Sequence, residues 1–239
     1  MLRFRPLLVP TLWFAAMFAT LAGLGTWQIE RLHWKEALIG QMNANLSAPA
    51  VSLEQILKLP SNDAQYRRVA LTGRFDHAHE SYAFATADGG VPVYHVLTPL
   101  ILANGKALIV DRGMIPQSLK NPATRMLGQV AGLQHITGIW RTPDAANLFT
   151  PKPDPQKRLW FARDVSAIAA GDGLTLLAPV IVEADATPVP GGWPKGGQTV
   201  VSLPNNHLQY AITWYLMALG LVAVYLVYHR QKGRLGRGV

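Results

Sequence analysis

The 239-residue sequence contains no cysteine, which excludes disulfides, thiolate metal sites and a cysteine nucleophile in one step. It leaves the compartment open, because a cysteine-free domain folds as well outside a cell as inside. Charge is also scarce. Only 15% of residues are charged, where a soluble globular protein carries roughly 25%. Walker, dinucleotide-binding and nucleophile motifs are missing, so the reading is of a protein that is not an enzyme. Low-complexity tracts and internal repeats are absent too, which sets aside a disordered chain and a solenoid.

The shortage of charge is local. Leu7 to Trp27 and Leu208 to Tyr228 each run 21 residues without a charged side chain, and about 20 apolar residues suffice to cross the hydrocarbon of a bilayer. Residues 7–27 and 208–228 are therefore expected to be transmembrane helices. The first is too long for the apolar core of a cleaved signal, and Thr20-Leu21-Ala22 is a poor cleavage site. The formal net charge of +8 sits mostly at the ends, with Arg3, Arg5, Arg230, Lys232, Arg234 and Arg237 supplying six, while all 14 acidic residues lie between the spans. A nucleic-acid-binding protein concentrates its positive charge in the folded body, so no nucleic-acid partner is expected. Basic tails at 1–6 and 229–239 report topology instead. The expectation is a multi-pass protein of the lipid bilayer with both termini cytoplasmic and residues 28–207 on the far side. Trp27, Trp34, Tyr210, Trp214 and Tyr215 suit the headgroup layer. Ala15, Ala19 and Gly23 form a small-residue face that Ala211 and Ala218 could answer.

Beyond the first span the helical spacing of Ile29, Leu32, Leu38, Ile39 and Met42 predicts that the helix continues to about Leu46, where Pro49 ends it. A short helix fits Leu53 to Leu59. Strands are predicted at Val69 to Phe75, Val91 to Leu102, Ala107 to Val110, Leu133 to Arg141, Arg158 to Ala162 and Pro179 to Ala184. Asn104-Gly105 marks a hairpin turn, and Val165 to Ala170 a helix capped by Asp164. The fold class is then a membrane protein in which two terminal helices flank a mainly antiparallel β (α+β) extramembrane domain, built as a barrel or sandwich.

Three places could carry chemistry. In Asp76-His77-Ala78-His79-Glu80, His77 and His79 would share a face on a strand and reach one ion; the alternative is a hydrated turn after Phe75. Asp111-Arg112-Gly113 reads either as a turn held by its own hydrogen bonds or as a charged pair for a partner, with Asp111 and a histidine the remote option of a hydrolase. His95 and His135 lie in apolar strands and read as ordinary barrel residues. His207 stands at the mouth of the second span, where His207, Tyr210, Ala211 and Trp214 share one helical face. An imidazole there can ligate haem iron while aromatic rings pack on the macrocycle; the alternative is an anchor, with Asn205 or Asn206 capping the helix.

Leu24-Gly25-Thr26-Trp27-Gln28-Ile29-Glu30-Arg31-Leu32-His33-Trp34-Lys35, Tyr66-Arg67-Arg68-Val69 through Gly73-Arg74-Phe75-Asp76, Thr98-Pro99-Leu100, Gly105, Val110-Asp111-Arg112-Gly113-Met114-Ile115-Pro116 and Asn205-Asn206-His207-Leu208-Gln209-Tyr210-Ala211-Ile212-Thr213-Trp214-Tyr215 follow one another in order. Together they resemble the surfeit locus protein one family over most of the chain. Met114 stands where that family usually carries Trp, and residues 117–132 fall outside the matches. The resemblance implies an assembly factor for cytochrome c oxidase that helps the haem a centres of the catalytic subunit to form. It makes His207 the candidate haem a ligand, with Tyr210 and Trp214 beside it. Further expected partners are the oxidase catalytic subunit and the haem a synthesis machinery; the alternative is a scaffold that stabilises an oxidase intermediate without touching haem. With no mitochondrial presequence before the first span, a bacterial inner membrane with the domain in the periplasm is the expected location.

Overall fold

A computed structural model describes residues 2–143, 146–199 and 203–237. The last two positions of the basic tail, Gly238 and Val239, lie outside the described residues. The chain divides into two compact units, residues 1–41 with 202–239 and residues 42–201.

The first unit is a helical pair. After the short strand β1 (Leu2–Phe4), helix α1 runs from Leu8 to Ser47, and α5 (His207–Gln231) is followed by β10 (Leu235–Arg237). Both helices are long and apolar enough to cross a membrane. They are the two such helices among the described residues, so the multi-pass expectation narrows to two spans. α1 continues without a break past Trp27, as the spacing of its apolar residues predicts.

The two helices run antiparallel and are joined by hydrogen bonds along their length. Leu7 N–H donates to His229 Nε2 (3.2 Å), the hydroxyls of Thr11 and Tyr225 meet at 2.7 Å, and those of Thr26 and Tyr215 at 3.1 Å. Phe14 stacks on Tyr225 with ring centroids 4.2 Å apart. In lipid, where helices gain nothing from apolar burial against one another, close packing and such bonds drive association. The contact face differs from the expected one. Ala211 and Ala218 are buried, as expected, but Ala15, Ala19 and Gly23 are exposed. Gly25 is the small residue that counts, since a Cβ there would lie 2.9 Å from the Tyr215 ring. The ends of this unit also close on each other: β1 pairs with β10, Leu2 opposite Arg237 and Phe4 opposite Leu235. Three-residue strands carry no periodic signal, so the sequence reads them as plain tails.

The second unit is a barrel. Its elements in order are β2 (Val51–Ser52), α2 (Leu53–Leu57), α3 (Ser61–Ala64), β3 (Arg68–Phe75), β4 (Ser81–Thr86), β5 (Pro92–Ile101), β6 (Ala107–Pro116), β7 (Gln134–Arg141), β8 (Leu159–Trp160), α4 (Val165–Gly171) and β9 (Leu176–Ala184). The sheet runs β2-β3-β7-β9-β6-β5-β4-β8, and an extra β3–β5 pairing closes five of these strands into a ring. Most neighbours are antiparallel; β2–β3, β4–β8 and β6–β9 are parallel. Side chains alternate across β6, so that Leu108 and Val110 enter one core with Val69, Leu71, Leu100 and Val182, with Ile56 of α2 packed against it. Ile109 faces the other way, into a second core with Leu97, Ile181 and α4's Val165 and Ile168.

The expected hairpin is β5–β6, with Asn104 Oδ1 accepting from Lys106 N–H in its turn, and Asp164 caps α4 through the Ala167 N–H. The strand expected at Arg158 to Ala162 shrinks to Leu159–Trp160, because the preceding turn places Arg158 in the left-handed region at φ 49°. β4 is absent from the sequence reading: Ser81-Tyr82-Ala83-Phe84-Ala85-Thr86 mixes small and aromatic residues without clean alternation, and three successive residues are buried.

The helix contact is tested by two leucine substitutions in detergent micelles. Gly25→Leu should cost about 1–3 kcal/mol of unfolding free energy through overpacking against Tyr215, whereas Gly23→Leu, with open space around it, should stay within about 0.5 kcal/mol. Equal effects would place the contact on the wrong face.

Candidate functional site: a histidine at the helix mouth and a buried ionic network in the barrel

His207 is the first residue of α5, and Asn206 occupies the capping position without making a side-chain cap bond. The imidazole is held from across the pair: its Nδ1 lies 2.7 Å from Gln28 Oε1. With the amide oxygen accepting, Nδ1 carries the proton and Nε2 keeps its lone pair for a further ligand. One turn-pair further along the same face of α1, Lys35 donates to the Pro204 carbonyl. Gln28 and Lys35, seven apart on α1, thus grip the entrance of α5. His207 and Trp214 are half-buried, Ala211 is buried, and Tyr210 is 55% exposed. Leu208 and Trp27 are also about half exposed, leaving apolar surface near the ring. Gln28 went unnoticed as a site residue in the sequence. Its only signal was its place in the motif that carries the family resemblance.

His77 and His79 do not share a strand face. They lie in a 3₁₀ turn, where His79 Nδ1 meets Asp76 Oδ2 at 2.6 Å and His77 Nε2 donates to the Val130 carbonyl at 2.9 Å. Each ring has its own partner, and among the described residues no three His, Asp or Glu side chains gather around a common ion site.

Asp111-Arg112-Gly113 is not a turn at the end of a strand. It lies inside β6, which continues to Pro116. The turn-like signal has a real cause, because Gly113 takes φ 107° and its N–H donates to Asp111 Oδ1. Successive strand residues point to opposite faces, and the two charges part company. Asp111 Oδ2 accepts from His95 Nδ1 (2.8 Å) and Arg163 Nη1 (3.1 Å). Arg163 Nη1 also reaches Glu183 Oε1 at 2.7 Å, as does Arg141 Nη1, and the Thr199 hydroxyl donates to Glu183 Oε2. His95 is therefore part of an ionic network rather than an ordinary barrel residue. His135 is exposed and bonded to the Thr72 hydroxyl at 2.9 Å. Burial opposes the Asp111 carboxylate, yet the His95 bond and charge, Arg163 and the Gly113 N–H together hold its pKa below the usual value. A carboxylate committed in this way is a fixed counter-ion, poorly suited to take a proton from a substrate.

A family model described as the SURF1 family matches residues 15–219, a stretch that includes Gln28, the whole barrel and His207. The chain belongs to the SURF1 family. Its relatives include Surfeit locus protein 1 of Rattus norvegicus, 34% identical over 222 residues that cover 85% of this chain and 70% of the relative. Surfeit locus protein 1 of Takifugu rubripes is 35% identical, covering 85% and 90% respectively. The Homo sapiens protein of the same name is 34% identical, covering 82% and 69%. The family is known for cytochrome c oxidase assembly factors, as the resemblance read from the motifs implies.

The network gives the barrel an acid limb. The folded pKa of Asp111 lies below its unfolded value of about 3.9, so its stabilising contribution is complete above that value and is lost as pH falls through the lower folded one. Thermal unfolding should show a midpoint that drops below about pH 4. Asp111→Asn should cost roughly 3 kcal/mol at neutral pH and flatten that acid decline. An unchanged acid limb in the variant would assign it to other carboxylates.

Proposed function

We propose that this family member is a non-enzymatic assembly factor for cytochrome c oxidase that holds or delivers haem a through His207 while the haem a centres of the catalytic subunit form. In this reading α1 and α5 cross a bacterial inner membrane, both tails stay cytoplasmic, and the barrel lies in the periplasm. The observation that carries the reading is the Gln28–His207 hydrogen bond. A second partner on Nδ1 fixes tautomer and ring orientation, as metal-ligating histidines require. The residues present fit such a group: His207, half-buried at the start of an apolar helix, would hold the iron, with Tyr210 and Trp214 one and two turns on.

When bound, haem a supplies the redox iron and an apolar macrocycle. The chain's own side chains do three things. Gln28 accepts the Nδ1 proton and aims Nε2. Lys35 pins the chain at Pro204 so that the imidazole keeps its height on α5. The aromatic residues of α5 offer flat faces for a large ring.

A scaffold that stabilises an oxidase intermediate without touching haem is the second reading. What favours it is the apolar pair Leu148 and Phe149, 100% and 94% exposed, on a turn held by Asn147 and Thr150. Such a pair suits a protein partner.

Co-expression with haem a synthesis and purification in detergent separates the two. A coloured protein with a haem absorption band is expected, with the band lost in His207→Ala and affinity reduced about 10-fold to 100-fold in Gln28→Ala. Wild-type haem content after His207→Ala would remove the ligand assignment. A colourless wild type that still captures the catalytic subunit, in a manner abolished by Leu148→Ser with Phe149→Ser, would establish the scaffold.

A further inference from the structure

Among the described residues, Arg112 shares one buried carboxylate with a second buried arginine. Arg112, Arg125 and Glu80 are 4%, 5% and 3% exposed, two cations against one anion. Arg125 takes up the anion: its Nη1 reaches Glu80 Oε2 at 3.3 Å and its Nη2 is bonded to Oε1. Tyr82 OH donates to the same carboxylate at 2.7 Å, and Gln129 Nε2 at 3.3 Å. Arg112 is left at the edge of this arrangement. Its Nη2 donates to the Gly128 carbonyl, its guanidinium covers the Phe75 ring at 4.7 Å, and its Nη1 stands 3.9 Å from Glu80 Oε2. That is too far for a hydrogen bond, and among the described residues the buried Nη1 has no hydrogen-bond partner.

A buried guanidinium nitrogen with nothing to donate to carries the full cost of its lost hydration. Burial lowers the Arg112 pKa, Glu80 raises it and Arg125 lowers it, with the result at about 10, so the group remains a cation at neutral pH. Arg112 also lines a cavity of about 200 Å³. The rest of that wall is mixed: Phe75, Val130, Ile136, Val189 and Pro190 give it an apolar side, and Gln134, His135, Thr137 and Thr187 a polar one. Asp185, the acidic residue among the described ones in the wall, is otherwise engaged: its Oδ1 accepts from Thr187 N–H at 3.0 Å, and its Oδ2 lies 3.7 Å from Arg68 Nη2.

We propose that this cavity binds a small monocarboxylic acid with an apolar body, and that the Arg112 guanidinium in its wall is the counter-ion for the carboxylate. The surplus is one positive charge, which selects a monoanion over a phosphate dianion. The planar guanidinium matches a carboxylate, and the apolar side of the wall accommodates a short hydrocarbon chain. The inference does not depend on haem or on His207, since every residue it uses belongs to the barrel unit.

The probe is hexanoate, titrated calorimetrically into the full chain in detergent and into two variants. Arg112→Gln removes the charge, and Val189→Trp fills the cavity from the loop side without touching an ion. Saturable one-to-one binding by the wild type is expected, weakened at least 10-fold in both variants, with hexanol and hexylamine failing to bind and inorganic phosphate failing to displace. Absence of saturable hexanoate binding by the wild type overturns the proposal, as does binding that survives in Val189→Trp or is matched by hexanol. If Arg112→Gln fails to fold, judged by circular dichroism, Val189→Trp and the hexanol control decide alone.

Discussion

A polar group taken out of water has to be given a partner, and both units of this chain are arranged by that requirement. In the helical pair Thr11 meets Tyr225, Thr26 meets Tyr215 and Gln28 meets His207 across the contact, and the His229 imidazole accepts from the Leu7 N–H. In the barrel unit β6 carries two adjacent buried charges on opposite faces, and each meets a separate set of ionic partners. The helix pair sets its register by these bonds. The barrel draws β5, β9 and the segment before α4 together through Asp111, His95, Glu183 and Arg163.

The outline of the fold was legible because its large elements have strong periods. Two uncharged stretches of helical length, an Asn-Gly hairpin and the Asp164 cap each combine an apolar pattern with a local signal. What escaped was decided by tertiary pairing. The β1–β10 strands are three residues long, β2 and β8 only two, and such pieces exist because a neighbour offers hydrogen bonds. The helix face was misjudged for a related reason. Ala15, Ala19 and Gly23 make a regular small-residue row, but bonding sites at Thr11, Thr26 and Gln28 rotate α1 so that Gly25 faces Tyr215.

Asp111-Arg112-Gly113 shows where local reading runs out. Its turn chemistry is present, with Gly113 at positive φ and the Asp111 side chain bonded to its N–H, yet the strand carries on through it because β5 and β9 pair on either side. From composition the Asp and Arg look like an ion pair. Strand alternation makes that geometry unfavourable, and the consequence is two networks instead of one. The first gathers two arginines around two carboxylates; the second holds Arg112 in the wall of a cavity.

The two kinds of polar contact also differ in what they protect. Hydrogen bonds between membrane helices contribute about 0.6 kcal/mol each, because an unpaired helix finds other partners for the same groups. Gln28 therefore adds little to the stability of the helical pair, and its effect falls on the orientation of one imidazole. Asp111 is the opposite case: it is 2% exposed, and removing a buried ion from a committed network costs several times as much, about 3–5 kcal/mol. The residue that orients the His207 imidazole and a residue that holds the fold thus lie on different elements, α1 and β6.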